Sequence, residues 1–320
     1  MTTTAPASTR TLRLGHSPDP DDAFMWWPLA DFVGPDGARY TPQIDAGPYR
    51  FEHVLEDIES LNQRCERAEL EITALSIHQY PFVADRYALT ACGSSMGDGY
   101  GPMLVAKPGK LTPTGAEPQP NPAALDDPDQ LKGLRIAIPG QRTTAFLTFQ
   151  LLLRDYGLSV DDLHVDFVPF DQVLDRVASD DFDAGVIIHE GQLTWAEHGV
   201  VPAVDLGAWW KATRGLPLPL GGNAIRRDLA DHLQPICQVL KRSIDFALEN
   251  REDAIRFALQ YGRGLDAQTA DQFVGMYVNR WTLDYGPVGR QAVQQLLTEA
   301  VDAGLVPALP DVGLNFIAAE

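Results

Sequence analysis

From residue 134 to residue 188 the chain alternates strand-like and helical patterns, and this block limits the fold more than any other feature. An apolar run at 134–138 is followed by a turn at 139–144 and by apolar residues at helical spacing over 145–156. A second strand pattern at 165–169, a helix at 171–179 and a third strand at 183–188 complete a βαβαβ unit. Strands joined through helices pair in parallel, and such sheets need cover on both faces. Segments dense in proline or glycine flank the block, near 107–130 and 205–222. A chain that leaves one domain, builds a second and then returns accounts for both. The expected architecture is α/β and bilobal, with two mixed sheets flanked by helices and a ligand cleft between the lobes. The first lobe is expected from 1–107 plus 216–320, the second from 108–215.

Outside the block, 12–15 reads as a strand and a helix begins at Ala23, with Asp21 or Asp22 as its N-cap. Residues 33–50 look like a surface excursion. Residues 51–65 carry a helical pattern and 71–75 a strand that leads into a further helix. A glycine cluster spans 93–102, and a strand follows at 103–106. The sequence GAWWKATRGLPLPLGGN after Leu206 reads as a loop. Helices are expected over 229–261, 267–282 and 287–304, and the first ten residues form a polar tail.

The 320 residues suffice for two domains, and 45% hydrophobic content supports a sizeable core. A formal net charge of −19 repels phosphate backbones and anionic lipid, which excludes nucleic acid and membrane-surface partners. The same field repels a small anionic substrate, so donors inside the cleft have to overcome it. Cys65, Cys92 and Cys237 are widely spaced and show no CxxC pairing. They read as buried reduced thiols rather than a disulfide framework or a zinc site. No apolar core of a secretory signal stands at the start, and no run of about 18 apolar residues is present. The expected setting is cytoplasmic, without membrane insertion.

The third strand of the block ends abruptly: 183–190 reads DAGVIIHE. In open α/β sheets ligands bind outside the carboxyl ends of the strands. An imidazole delivered there, His189, is a candidate general base, although a lone histidine after a strand is also a common surface residue. Thr143, Thr144 and Ala145 stand where a turn enters a helix. Free amides and the positive end of the helix dipole favour an anion there, beside ordinary N-capping. Ser76 occupies the same kind of position in the first lobe, and Ser17 sits in the first βα turn. His16 and His78 lie near strand ends, whereas His53, His164, His198 and His232 look like surface residues. Trp209 and Trp210 pack by default. No metal spacing, nucleophile elbow, P-loop or dinucleotide fingerprint occurs, so no metal or organic cofactor is expected.

Taken in order, SPDPDD (17–22), LSIHQY (75–80), GDGYGP (97–102), IPGQRTTA (138–145), DAGVIIHE (183–190) and GLPLPLGG (215–222) resemble the 1,4-dihydroxy-6-naphthoate synthase family of the futalosine route to menaquinone. The resemblance spans roughly 12–300 and implies a type 2 periplasmic-binding-protein fold. It implies a carbon–carbon lyase that removes the sugar-derived part of cyclic dehypoxanthinylfutalosine and leaves an aromatic dihydroxynaphthoate. It further implies that His189 accepts the proton, and that Ala74, Leu75, Ser76, Thr144 and Ala145 contact substrate. Family members commonly read SPCPND where this chain has Asp19 and Asp21, and some carry Lys where Ala74 stands. Extra carboxylates near the cleft are expected to oppose an anionic substrate. Two alternatives share the fold: the chorismate dehydratase of the same pathway, and a solute-binding protein for a small carboxylate without catalysis.

Overall fold

The computed structural model describes residues 9–111, 122–261, 266–310 and 314–319. Most of the expected polar tail and the middle of the 108–130 linker lie outside the described residues. β1 (Arg10–His16) buries Leu12 and Leu14, while Arg13 reaches outward to Glu71. The chain then turns into α1 (Pro20–Trp26), three residues earlier than expected. Asp19, not Asp21 or Asp22, holds the capping position. Pro20 suits the first helical turn, where a backbone donor would have no partner.

β2 (Tyr49–Leu55) and α2 (Ile58–Glu66) replace the single helix expected over 51–65. Phe51 is buried and Glu52 exposed, a period of two over a run too short to separate from a helix on its own. Parallel pairing with β1 along all seven residues settles the matter, and Asp57 then caps α2. β3 (Ile72–Ser76), buried throughout, pairs in parallel with the other edge of β1. The short α3 (Tyr80–Val83), β4 (Tyr87–Thr90) and β5 (Ser95–Gly97) follow.

β6 (Met103–Ala106) opens a second sheet, with β7 (Arg135–Ile138), β8 (His164–Phe167), β9 (Ala184–Ile187) and β10 (Val201–Asp205). Its order is β10-β6-β9-β7-β8, parallel from β9 to β8 and antiparallel around β6. The crossing between sheets therefore precedes Met103, not 107/108, because β6 finds its partners in the second sheet. α4 (Thr144–Asp155) and α5 (Val173–Ala178) connect its parallel strands, and the short α6 (Gly191–Thr194) follows β9.

The stretch after Leu206 is not a loop. α7 (Leu206–Arg214) is capped by Asp205 and ends at Gly215, whose φ of 71° is the left-handed stop that glycine accepts freely. β11 (Leu218–Arg226) then runs antiparallel between β3 and β4. Its register shifts between Pro219 and Gly221, and a Cβ at Gly222 would meet the Tyr285 hydroxyl at 2.4 Å. The prolines and glycines that suggest a loop mark a bulged, tightly packed strand. The first sheet runs β12 (Phe316–Ile317), β4, β11, β3, β1, β2, with β5 also pairing to β11.

α8 (Leu233–Glu249) and α9 (Arg251–Ala258) pack with α1 over Leu12, Leu14 and Phe51. α10 (Ala267–Tyr277) and α11 (Arg280–Leu283) lead to α12 (Gly286–Asp302), which packs on β11 and α4 and so touches both lobes. No helix among the described residues is long and apolar enough to cross a membrane.

Candidate active site

The parallel strands of both sheets end at one cleft, of about 760 Å³ with the open space at its mouth included. The first lobe lends Ser17 from beyond β1 and Ala74, Leu75 and Ser76 from β3. The second lends Thr143, Thr144 and Ala145 at the start of α4 and His189 just beyond β9. All of these residues line the cleft.

The hydroxyls at this site mostly serve the protein itself. Thr143 Oγ1 accepts from the Phe146 amide at 3.2 Å and caps α4. Thr144 Oγ1 accepts from the His78 amide at 3.2 Å and donates to the Leu220 carbonyl at 2.6 Å, tying the second lobe to the first. Ser76 is gripped by Asn62, whose side chain accepts from the Ser76 amide at 2.9 Å and donates to its Oγ at 3.0 Å. The Arg142 amide donates to Glu59 across the same seam at 3.0 Å. What α4 offers a ligand is therefore its first-turn amides at Thr144 and Ala145, which have no acceptor within the helix. Among the described residues no Lys or Arg lines the cleft. The donors that the described residues turn toward the cleft are amides and hydroxyls.

His189 stands at φ 54°, in the left-handed region that non-glycine residues seldom occupy. Its Nδ1 lies 3.2 Å from Asp19 Oδ2, which comes from the opposite lobe. The imidazole is 19% exposed and the Asp19 carboxylate 2%. The Phe170 ring packs against it in a T-shaped arrangement with centroids 4.8 Å apart, and Nε2 has no hydrogen-bond partner. Asp19 makes no side-chain cap to α1 although it holds the capping position.

Asp21 and Asp22, in the first turn of α1, also line the cleft. Burial, and then the neighbouring carboxylates, push Asp21 well above the usual carboxylate range. Burial raises Asp22 to about 6, although the Ser17 amide donates to it at 2.8 Å. The extra carboxylates are thus not two free charges facing a ligand. Asp19 faces an imidazole, and Asp21 is driven toward its neutral form.

The remaining histidines divide differently from the sequence reading. His53 is not a freely exposed residue: it lies half-buried on β2, and its Nδ1 sits 2.9 Å from His16 Nε2. Burial takes His16 down to about 3 and His53 to about 4. His78, held at about 4 by burial, places Nδ1 3.0 Å from the Thr143 carbonyl. None of the three lines the cleft. Trp209 and Trp210 are buried, and Trp210 Nε1 donates to the Pro217 carbonyl at 3.1 Å. Sequence reasoning missed Gln192 and Tyr277, which hydrogen-bond to each other at 2.6 Å on the cleft wall, and Asn223 on β11. The four-residue spacing of Phe273 and Tyr277 puts both on one face of α10, but nothing local says that this face meets a ligand. Among the described residues no group of three metal-binding side chains is clustered.

A family model described as menaquinone biosynthesis matches residues 12–302. The 1,4-dihydroxy-6-naphthoate synthase of Thermus thermophilus is 35% identical over 300 residues, which are 93% of this chain and 97% of that protein. That of Streptomyces coelicolor is 33% identical over 311 residues, 97% of this chain and 99% of the other. The crystal structure of protein AF1704 from Archaeoglobus fulgidus superposes with a TM-score of 0.77 at 38% identity, covering 92% of this chain and 98% of that one. The periplasmic aliphatic sulphonate binding protein SsuA of Escherichia coli matches with a TM-score of 0.60 at 13% identity, over 97% of this chain and 92% of that one; it speaks for the fold alone. On this full-length agreement the chain belongs to the menaquinone biosynthesis family, enzymes built here on a periplasmic-binding-protein-like clamp.

Proposed function

We propose that this protein is a carbon–carbon lyase that converts cyclic dehypoxanthinylfutalosine to 1,4-dihydroxy-6-naphthoate in the futalosine route, with His189 as general base. One observation carries the reading: a titratable ring from one lobe and amide-rich donors from both lobes line a single cleft. The amides of Thr144 and Ala145, with Ser76 opposite, anchor the substrate carboxylate and turn its reacting proton toward the imidazole. His189 Nε2 takes that proton. The electron pair left behind drives the breaking of the carbon–carbon bond, and the new aromatic ring makes the product side favourable. General-base help of this kind contributes about 10²–10⁴-fold. The lobe-to-lobe bonds through Thr144, His78 and Glu59 support a closed state that keeps water from the intermediate.

The three buried cysteines form no disulfide, although the Cys92 and Cys237 sulfurs lie 4.0 Å apart, which fits action in a reducing cytoplasm. Relatives named as naphthoate synthases along nearly their whole length favour this chemistry over chorismate dehydration. A pure receptor has no use for a base in its cleft. The test is single-turnover conversion of cyclic dehypoxanthinylfutalosine, followed by naphthoate absorbance, for the parent and for His189→Ala and His189→Asn. Formation by the parent with a loss of about 10²-fold or more in the variants, at unchanged circular dichroism, is the expected outcome. Near-parental turnover by the variants removes His189 from the role. Absence of product from the parent, with water lost from chorismate instead, removes the lyase reading.

A further inference from the structure

We infer that Asp19 is the positioning residue of His189: its carboxylate accepts a hydrogen bond from Nδ1–H across the cleft and so leaves the basic lone pair on Nε2. This deepens the proposed function and rests on that reading of His189. Four observations carry it. The contact is 3.2 Å, between a nearly fully buried carboxylate and a ring that lines the cleft. Asp19 holds the capping position of α1 yet makes no cap bond, so its orientation is not explained by helix capping. The left-handed backbone at residue 189 is kept in a conformation that costs energy, as expected where a side chain has to be aimed. Nε2 has no protein partner, whereas Nδ1 faces the acid.

The chemistry follows from the two tautomers of neutral imidazole. A proton on Nδ1 means a lone pair on Nε2, and the hydrogen bond at one nitrogen decides which form prevails. Asp19 also stabilises the imidazolium that forms once Nε2 has taken a proton. The other acids near the ring are Asp21 and Asp22 on α1 and Glu190, the next residue in the chain; Phe170 gives it an apolar wall. Because the acid and the base belong to opposite lobes, opening the clamp separates them. The base is then set only when the cleft is closed.

The experiment uses the full chain and the near-isosteric Asp19→Asn, with Asp19→Ala beside it and folding checked by thermal melting. Long-range ¹H–¹⁵N correlation on protein labelled at histidine reads the tautomer of residue 189, assigned by loss of its signals in His189→Gln. The parent is expected to show Nδ1–H, and Asp19→Asn to lose that preference. With cyclic dehypoxanthinylfutalosine, kcat is expected to fall about 30- to 1000-fold while KM stays within about threefold. A purely structural role would leave the tautomer in place. An unchanged tautomer or an unchanged kcat in a folded Asp19→Asn overturns the proposal. If the parent does not turn this substrate over, the functional reading fails and the tautomer measurement alone decides the role of Asp19.

Discussion

Thr144 shows how a single residue changes meaning once its neighbours are known. Beside Thr143 in the sequence it reads as a cap or as a hydroxyl for an anion. In the fold Thr143 is the cap, and the Thr144 hydroxyl joins the His78 amide to the Leu220 carbonyl. In the proposed function its contribution to a ligand is the backbone amide. Thr144→Val keeps the shape and the amide but strands two buried polar partners. It is expected to destabilise the protein by about 1–3 kcal/mol in urea unfolding. Unchanged stability would mean that the hydroxyl is free for substrate after all. His53 teaches the same lesson from the other side. Nothing adjacent to it in sequence marks it as buried, and only the pairing of β2 with β1 brings it against His16.

At the level of elements, the strongest local patterns coincide with the structure to within a residue or two: β6, β7, α4 and β9. Each has a clear period and a turn or cap at its end. The failures share a cause. The run at 51–55 is short, and short apolar runs suit helix and strand alike until a partner strand is present. β11 contains Pro219, Gly221 and Gly222, which argue locally for a loop, yet Tyr285 packs where a side chain at 222 would be. α7 carried a legible signal, an aspartate nine residues ahead of its last residue and a glycine just after it, hidden by the proline-rich context. That signal can be tested. Asp205→Ala removes the acceptor for the Gly207 and Ala208 amides, at 2.8 and 2.9 Å, and is expected to lower stability by about 1–2 kcal/mol. An unfolding midpoint equal to that of the parent would show that α7 does not depend on its cap.

For the molecule as a whole, the buried imidazoles set the response to acid. His16, His53 and His78 titrate at about 3, 4 and 4 in the fold against about 6.5 in an unfolded chain. Between those values the unfolded chain binds protons that the native state refuses, so stability rises with pH. It is fully present above about pH 6.5 and is lost as pH falls toward 4. Glu71, for which burial is outweighed by its bonds to Arg13, is held at about 2 and adds to the loss below the ordinary glutamate value. Asp22, raised to about 6 by burial, and Asp21, pushed well above the usual carboxylate range, act in the opposite sense, so the slope due to the imidazoles is read with both carboxylates replaced. Melting followed by circular dichroism is expected to show Tm of the Asp21→Asn/Asp22→Asn double variant falling from pH 6.5 to 4, and a flat profile in that variant would contradict this account. The sequence alone determined the alternation of strands and helices, the turn chemistry at 139–145 and the strand that delivers His189. These depend on period, caps and turns, which act between residues a few positions apart. Tertiary structure alone decided that β6 belongs to the second sheet, that β11 is a strand, and that Asp19 meets His189. Those outcomes depend on which surfaces dock, and a carboxylate and an imidazole far apart in the chain have no local energy that records their meeting.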